Sequence, residues 1–229
     1  MKKFFSILSF ALIFVSCEND IKTNTPAFQG EKDNVLWKAN EARVTVNNDG
    51  TITLNGYTDF EVVSVRVPNA VGKYDLGTTD GDVFASYSYA NSGSVYYYET
   101  IGQIGPTNKV SLIDSGSGYA SLNGAIVQTT GGTGNGLQLK LTVLPNGKVT
   151  GAKITSKGID YSPGDIITAV GGNNDATFEI VNTASSNGEV EIQKIENGTF
   201  TGTVKFNATD DDGNVLNFNK GVFYKVPVY

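Results

Sequence analysis

The chain reads as an all-β protein, an antiparallel β-sandwich or flattened barrel that carries an inserted glycine-rich β repeat subdomain. Three observations predict this. Apolar residues recur at every second position, as half-buried strands demand; glycine-containing turn pairs punctuate those runs; and no segment beyond the first sixteen residues shows helical spacing.

The N-terminus comes first. Met1-Lys2-Lys3 precedes an apolar run from Phe4 to Val15, broken only by Ser6 and Ser9, and the small Ser16 closes it. That tripartite pattern predicts an export signal over residues 1–16. The run is too short to cross a bilayer, which takes roughly 20 apolar residues as a helix. Cys17, the single cysteine, follows at once and resembles the acylated cysteine of a bacterial lipobox, although Phe14 and Val15 stand where Leu and a small residue are usual. A lone cysteine closes no internal disulfide, so a lipid attachment point is the expected role. The expected location is the outer membrane, on the periplasmic or the cell-surface side. Residues 17–34 are polar and read as a tether. Glu18 and Asp20 within it resemble surface-export signals, and a solvated tether explains them equally well.

Strands are expected next. Val44 and Val46 alternate with Arg43 and Thr45, Ile52 and Leu54 with Thr51 and Thr53, and Val63, Val65 and Val67 with Ser64 and Arg66. Near the C-terminus Phe200, Val204, Phe206 and Ala208 share one parity; Val222, Tyr224, Val226 and Val228 define the last strand face. Asp49-Gly50, Asn146-Gly147, Asn187-Gly188, Asn197-Gly198 and Asp212-Gly213 predict tight hairpin turns, because these residue types tolerate positive φ.

An internal repeat lies in the middle of the chain. One copy runs from Gly116 to Ile154 and a second from Lys157 to Ile195, with Tyr119 matching Tyr161 and Gly131-Gly132 matching Gly171-Gly172. Two copies are too few for a free-standing solenoid, so paired hairpins are expected. The copies resemble Gly-Tyr/Gly-Asp repeats of phage tail and fibre proteins, the second better than the first through Tyr161 and Gly164-Asp165. Where that resemblance holds, such units are structural or adhesive.

The flanking segments carry a separate resemblance. Trp37-Lys38-Ala39, Gly72-Lys73-Tyr74-Asp75-Leu76, Gly198-Thr199-Phe200 and Gly221-Val222-Phe223 look like the motifs of a Bacteroidota lipoprotein family, domain of unknown function 6252. The resemblance implies one discontinuous domain over residues 35–100 and 187–229, with residues 101–186 inserted at a hairpin tip, where insertion is best tolerated.

Composition narrows the chemistry. Histidine is absent, which removes Ser–His–Asp and Cys–His nucleophiles, ordinary zinc sites and histidine pH switches. Of 17 basic residues Lys2 and Lys3 leave with the leader, so 15 face 23 acidic ones, a balance that argues against nucleic acid. An EF-type loop placed on Gly213 would begin at Ala208 and end at Asn219, without carboxylates at either anchor. The Gly131–Gly136 run lacks the ending of a phosphate loop. No cofactor and no metal is expected.

The tyrosines are the remaining candidates. Tyr87 and Tyr89 share one strand face, and Tyr96 and Tyr98 share a face of the next. Cross-strand packing explains such pairs, and so does a wet aromatic platform for a glycan or protein ligand. Tyr119, Tyr161 and Asp165 in the repeats complete the candidate binding residues. The expectation is a non-catalytic protein, held to the membrane through Cys17, that binds or adheres through its insert. A structural envelope component is the alternative. A glycoside hydrolase is the third reading and would need two carboxylates flanking a cleft.

Overall fold

A computed structural model describes residues 27–229 of the protein; the leader, Cys17 and the start of the tether lie outside the described residues. The first eight strands are β1 (Ala27–Lys32), β2 (Val35–Lys38), β3 (Glu41–Val46), β4 (Thr51–Tyr57), β5 (Glu61–Pro68), β6 (Gly72–Leu76), β7 (Phe84–Asn91) and β8 (Ser94–Glu99). Six more follow: β9 (Thr107–Ser115), β10 (Ile126–Gly131), β11 (Asn135–Val143), β12 (Val149–Ile159), β13 (Ile166–Ala169) and β14 (Ala176–Thr183). The last are β15 (Asn187–Glu196), β16 (Thr199–Thr209) and β17 (Val215–Pro227). Helix is confined to one 3-10 turn at Ala120–Leu122 among the described residues. The protein is all-β.

Two sheets divide these strands. Eleven belong to the first, in the order β2-β1-β17-β16-β8-β7-β5-β4-β3, with β15 and β6 branching from β16. Alternation builds it: Val63, Val65 and Val67 are buried, and Ile52 and Leu54 face the same core from β4. The sheet curls into a half-barrel. At the closing side Val44 meets Val228, and the Tyr229 N–H donates to the Val44 carbonyl at 2.9 Å. Phe28, Trp37, Phe206, Phe218 and Phe223 fill the core with edge-on and stacked rings 5.3–6.2 Å apart, the geometry that aromatic quadrupoles favour.

The second sheet has six strands in the order β12-β11-β10-β13-β14-β9. Equivalent strands of the two repeat copies, β10 and β13, pair at its centre with Thr129 opposite Ala169. Going outward, β11 and β12 from the first copy are mirrored by β14 from the second and by β9. The expected third strand of the second copy, β15, has instead joined the first sheet between β16 and β6. The outer strands β12 and β9 come alongside each other, so the sheet curls into a nearly closed barrel with its own core of Leu137, Leu139, Leu141, Ile167, Phe178 and Ile180.

Two details differ from the sequence expectation. Asn187-Gly188 is not a turn: it opens β15, where Gly188 pairs with Leu76 on one side and Phe206 on the other. Glycine is needed there because a Cβ would strike the Phe206 backbone at 2.7 Å, while the Asn187 amide donates to the carbonyls of Thr183 and Ala184. In the last strand Phe223, not Val222 or Tyr224, faces the core. Lys220 and Lys225 adopt φ 50° and 49° in β17; the buried positions move from Leu216 and Phe218 to Gly221 and Phe223, and then to Val226, so simple alternation is broken at two irregular residues.

The barrel leaves the first sheet at a fork. Residues 187–196 of β15 flank β16 as far as Asn207, and then β8 takes that side, with Glu99 opposite Thr209. Two connecting segments run out of this fork side by side. The Ser186 hydroxyl donates to the Ile101 carbonyl at 3.1 Å, and the Thr183 hydroxyl to the Gln103 carbonyl at 2.6 Å. Residues 101 and 186 are therefore neighbours in space.

Candidate binding surfaces

The tyrosine hairpin forms in the expected register, with Tyr87 opposite Tyr98 and Tyr89 opposite Tyr96, ring centroids 6.1 and 5.8 Å apart. Its members have different environments. Tyr87 is buried and its hydroxyl donates to Glu61 at 2.7 Å while accepting from Lys32 at 2.9 Å. Lys32 and Glu61 are themselves ion-paired, so β1, β5 and β7 are tied across the curl of the sheet. Burial, and then the Glu61 carboxylate, push the Tyr87 phenol far above its ordinary range. Burial raises the Glu61 pKa, and its donors Lys32 and Tyr87 more than reverse that. Tyr89 and Tyr98 are half-buried against the first core, and only Tyr96 of the four is exposed. Tyr97, on the opposite face, is exposed as well.

Tyr119 and Tyr161 lie in the second core, 0 % and 1 % exposed. Each packs on a glycine of the other copy. A Cβ on Gly172 would stand 2.6 Å from the Tyr119 ring, and one on Gly134 would stand 2.5 Å from Tyr161. The Tyr119 hydroxyl donates to the Ala169 carbonyl at 2.9 Å and accepts the backbone N–H groups of Asp175 and Ala176. Asp165 works at the barrel surface. Its Oδ2 accepts from the Thr133 N–H and hydroxyl and from the Ser162 N–H. Burial raises the Asp165 pKa, and these three donors more than reverse that. Asp175 holds Ser117 in the same manner at the other end. The copies thus latch onto one another reciprocally.

What the barrel does present is a groove of about 450 Å³ along the β9–β12 seam. Val110, Ala152 and Ile154 form its apolar floor, and Asn108, Thr155, Lys109, Lys153 and Lys157 rise around it. Lys153, Thr155 and Lys157 are exposed along β12, whose pairing with β11 slips at Thr155, and Lys140 lies directly opposite Lys153 on β11. Lys109 is held by Asp75 at 2.6 Å. Lys140, Lys153 and Lys157 have no ion-pair partner among the described residues. In a chain of formal charge −6 this is a locally positive strip. Sequence reasoning missed it, although lysines at one strand parity with no facing acid were the available signal.

Comparison with known proteins adds one result. The family model described as a domain of unknown function (DUF6252) matches twice, over residues 24–125 and 118–227. No curated protein and no solved structure matches the chain.

Proposed function

The chain belongs to the DUF6252 family, and from that premise we propose an exported, lipid-anchored, non-catalytic protein that binds an anionic glycan through its inserted barrel. The segment 101–186 acts as the presenting insert, with phage-type repeats as its building unit, and Cys17 acts as the acylated anchor in a Bacteroidota outer membrane. The observation that carries the binding role is the seam groove, lined by Lys153 and Lys157 without ion-pair partners among the described residues, with Lys140 opposite Lys153 on β11. A local positive strip on an acidic protein concentrates anionic partners and repels other acidic surfaces. The outer strands stand too close together to admit a further strand, so recognition falls to side chains rather than to backbone pairing.

Exposed lysines along the seam also keep one barrel from associating with another. The two roles separate in one experiment. The full chain in detergent is titrated with polygalacturonate and dextran sulfate, with neutral dextran as control, and compared with the Lys140→Gln/Lys153→Gln/Lys157→Gln variant. Binding should fall about tenfold in the variant and should weaken with salt in the wild type. Unchanged binding together with aggregation of the variant would assign the lysines to solubility alone. Palmitate labelling of cells tests the anchor: label lost on Cys17→Ser is expected, and an unlabelled wild-type chain contradicts it.

A further inference from the structure

The chain enters the half-barrel at the end opposite the fork. Ala27, the first residue of β1, lies opposite Tyr224 near the end of β17, whereas Thr209 and Glu99 meet at the fork, at the far end of β16. The eleven residues of β16 separate the two ends by about 35 Å. Strand β1 takes Ala27–Lys32 out of the segment expected as a tether, so ten residues, 17–26, join Cys17 to the fold. Even fully extended, ten residues reach about 35 Å. An anchor at Cys17 therefore keeps the Ala27 end next to the bilayer and leaves the fork and its barrel on the far side.

The surface at the Ala27 end is amphipathic. The Val228 N–H donates to the Gly198 carbonyl and the Tyr229 N–H to that of Val44, so the β15–β16 turn, the end of β17 and β3 form one rim. Ile195, Tyr224, Val228 and Tyr229 are exposed along it, Tyr229 at 76 %. Cations stand among them. Lys225 lies over the Tyr224 ring at 5.3 Å, Lys194 pairs with Glu196 at 2.6 Å, and Arg43 lies over Tyr57 at 4.6 Å. Tyrosines and long cationic side chains are the residues that settle at a membrane–water interface, rings at headgroup depth and charged tips among the phosphates. The fork end has the opposite character. Asp33, Glu99, Asp210, Asp211 and Asp212 gather there, and the phosphates of a bilayer repel such a cluster.

We propose that this rim is a bilayer-contacting surface, seated in the headgroup layer of the membrane that holds the anchor, with the barrel projected away from it. The proposal rests on acylation of Cys17. Contact comes from the tyrosine rings and their aliphatic neighbours rather than from net charge, because Glu41 and Glu196 offset Arg43 and Lys194. It should therefore persist on zwitterionic lipid and change little with salt, unlike polyanion binding at the lysine groove.

The test uses the full acylated chain in phosphatidylcholine vesicles that carry a nitroxide quencher on the headgroup. With Cys17 acylated, a cysteine introduced elsewhere is the one free thiol for a fluorophore. Labels attached through Ile195→Cys and Tyr229→Cys should be quenched about twofold or more. Labels through Val35→Cys, exposed at the fork end, and Leu144→Cys, exposed on the barrel, should keep their emission. Tyr224→Ser should lower the quenching at position 195 about twofold while the chain still floats with the vesicles. Quenching at positions 35 or 144 in place of the rim, or at no position on a chain that floats, would overturn the surface and leave the anchor standing. A chain that neither incorporates palmitate nor floats would overturn the anchor and this surface with it.

Discussion

The half-barrel and the inserted barrel solve the same packing problem in different ways. In the first sheet five aromatic rings fill a core whose members come from both ends of the chain, Phe28 and Trp37 on one side and Phe206, Phe218 and Phe223 on the other. In the barrel two tyrosines sit on glycines of the opposite copy, and Asp165 and Asp175, both of the second copy, hold loops of the first. The first core needs both chain ends before it closes. The second closes from residues 107–183 alone, which is why it can be carried as an insert. The difference extends to the surfaces, acidic at the fork and basic at the barrel seam.

Breaking each core should therefore have distinct signatures. Phe218→Ala removes a ring that touches Phe28, Trp37 and Phe206, and should cost about 3–5 kcal/mol in the transition of the half-barrel. Differential hydrogen exchange would show the loss in β1, β16 and β17, with β10–β14 spared. Gly134→Ala forces a methyl group into the Tyr161 ring, and about 1–3 kcal/mol should vanish from the barrel alone. Tyr119→Phe strands the buried Ala176 N–H and should weaken the same unit by about 1–3 kcal/mol, visible as faster exchange at Asp175 and Ala176.

The smallest expected effect depends on pH. Asp165 has a folded pKa below its ordinary value, so its contribution is complete above the usual carboxylate range, near pH 3.9, and is lost as pH falls through the folded pKa. Acid titration should loosen the 133 and 162 loops before the half-barrel core responds, and Asp165→Asn should remove that pH dependence. A barrel whose loops hold firm throughout would separate the latch from the stability of the insert.

Alternation made the strands legible, because burial on one face leaves a period of two in Val63, Val65 and Val67. It failed where backbone geometry intervened. Gly188 reads as a turn residue but serves close approach inside β15, and positive φ at Lys220 and at Lys225 shifts the expected face of β17. The Asp33-Asn34 and Ser92-Gly93 turns, both with positive φ, went unread because only some pairs look like hairpin signals. Tyr119 and Tyr161 stood out as candidates for binding, yet their matching glycines on the opposite copy become visible only once the copies cross. A hollow of about 220 Å³ at the fork was illegible for a stronger reason. Its walls come from residues 97–103 and 209–213, brought together by a change of sheet partner that no local pattern encodes.

Excision of the barrel tests the central claim most directly. Ile101 and Ser186 are already hydrogen-bonded, so replacing residues 102–185 by a short Gly-Ser link should leave their ends undisturbed. The excised chain should still unfold cooperatively and retain the half-barrel exchange pattern, with polygalacturonate and dextran sulfate binding abolished. Full polyanion binding by the excised chain, or collapse of the half-barrel without its insert, would contradict it.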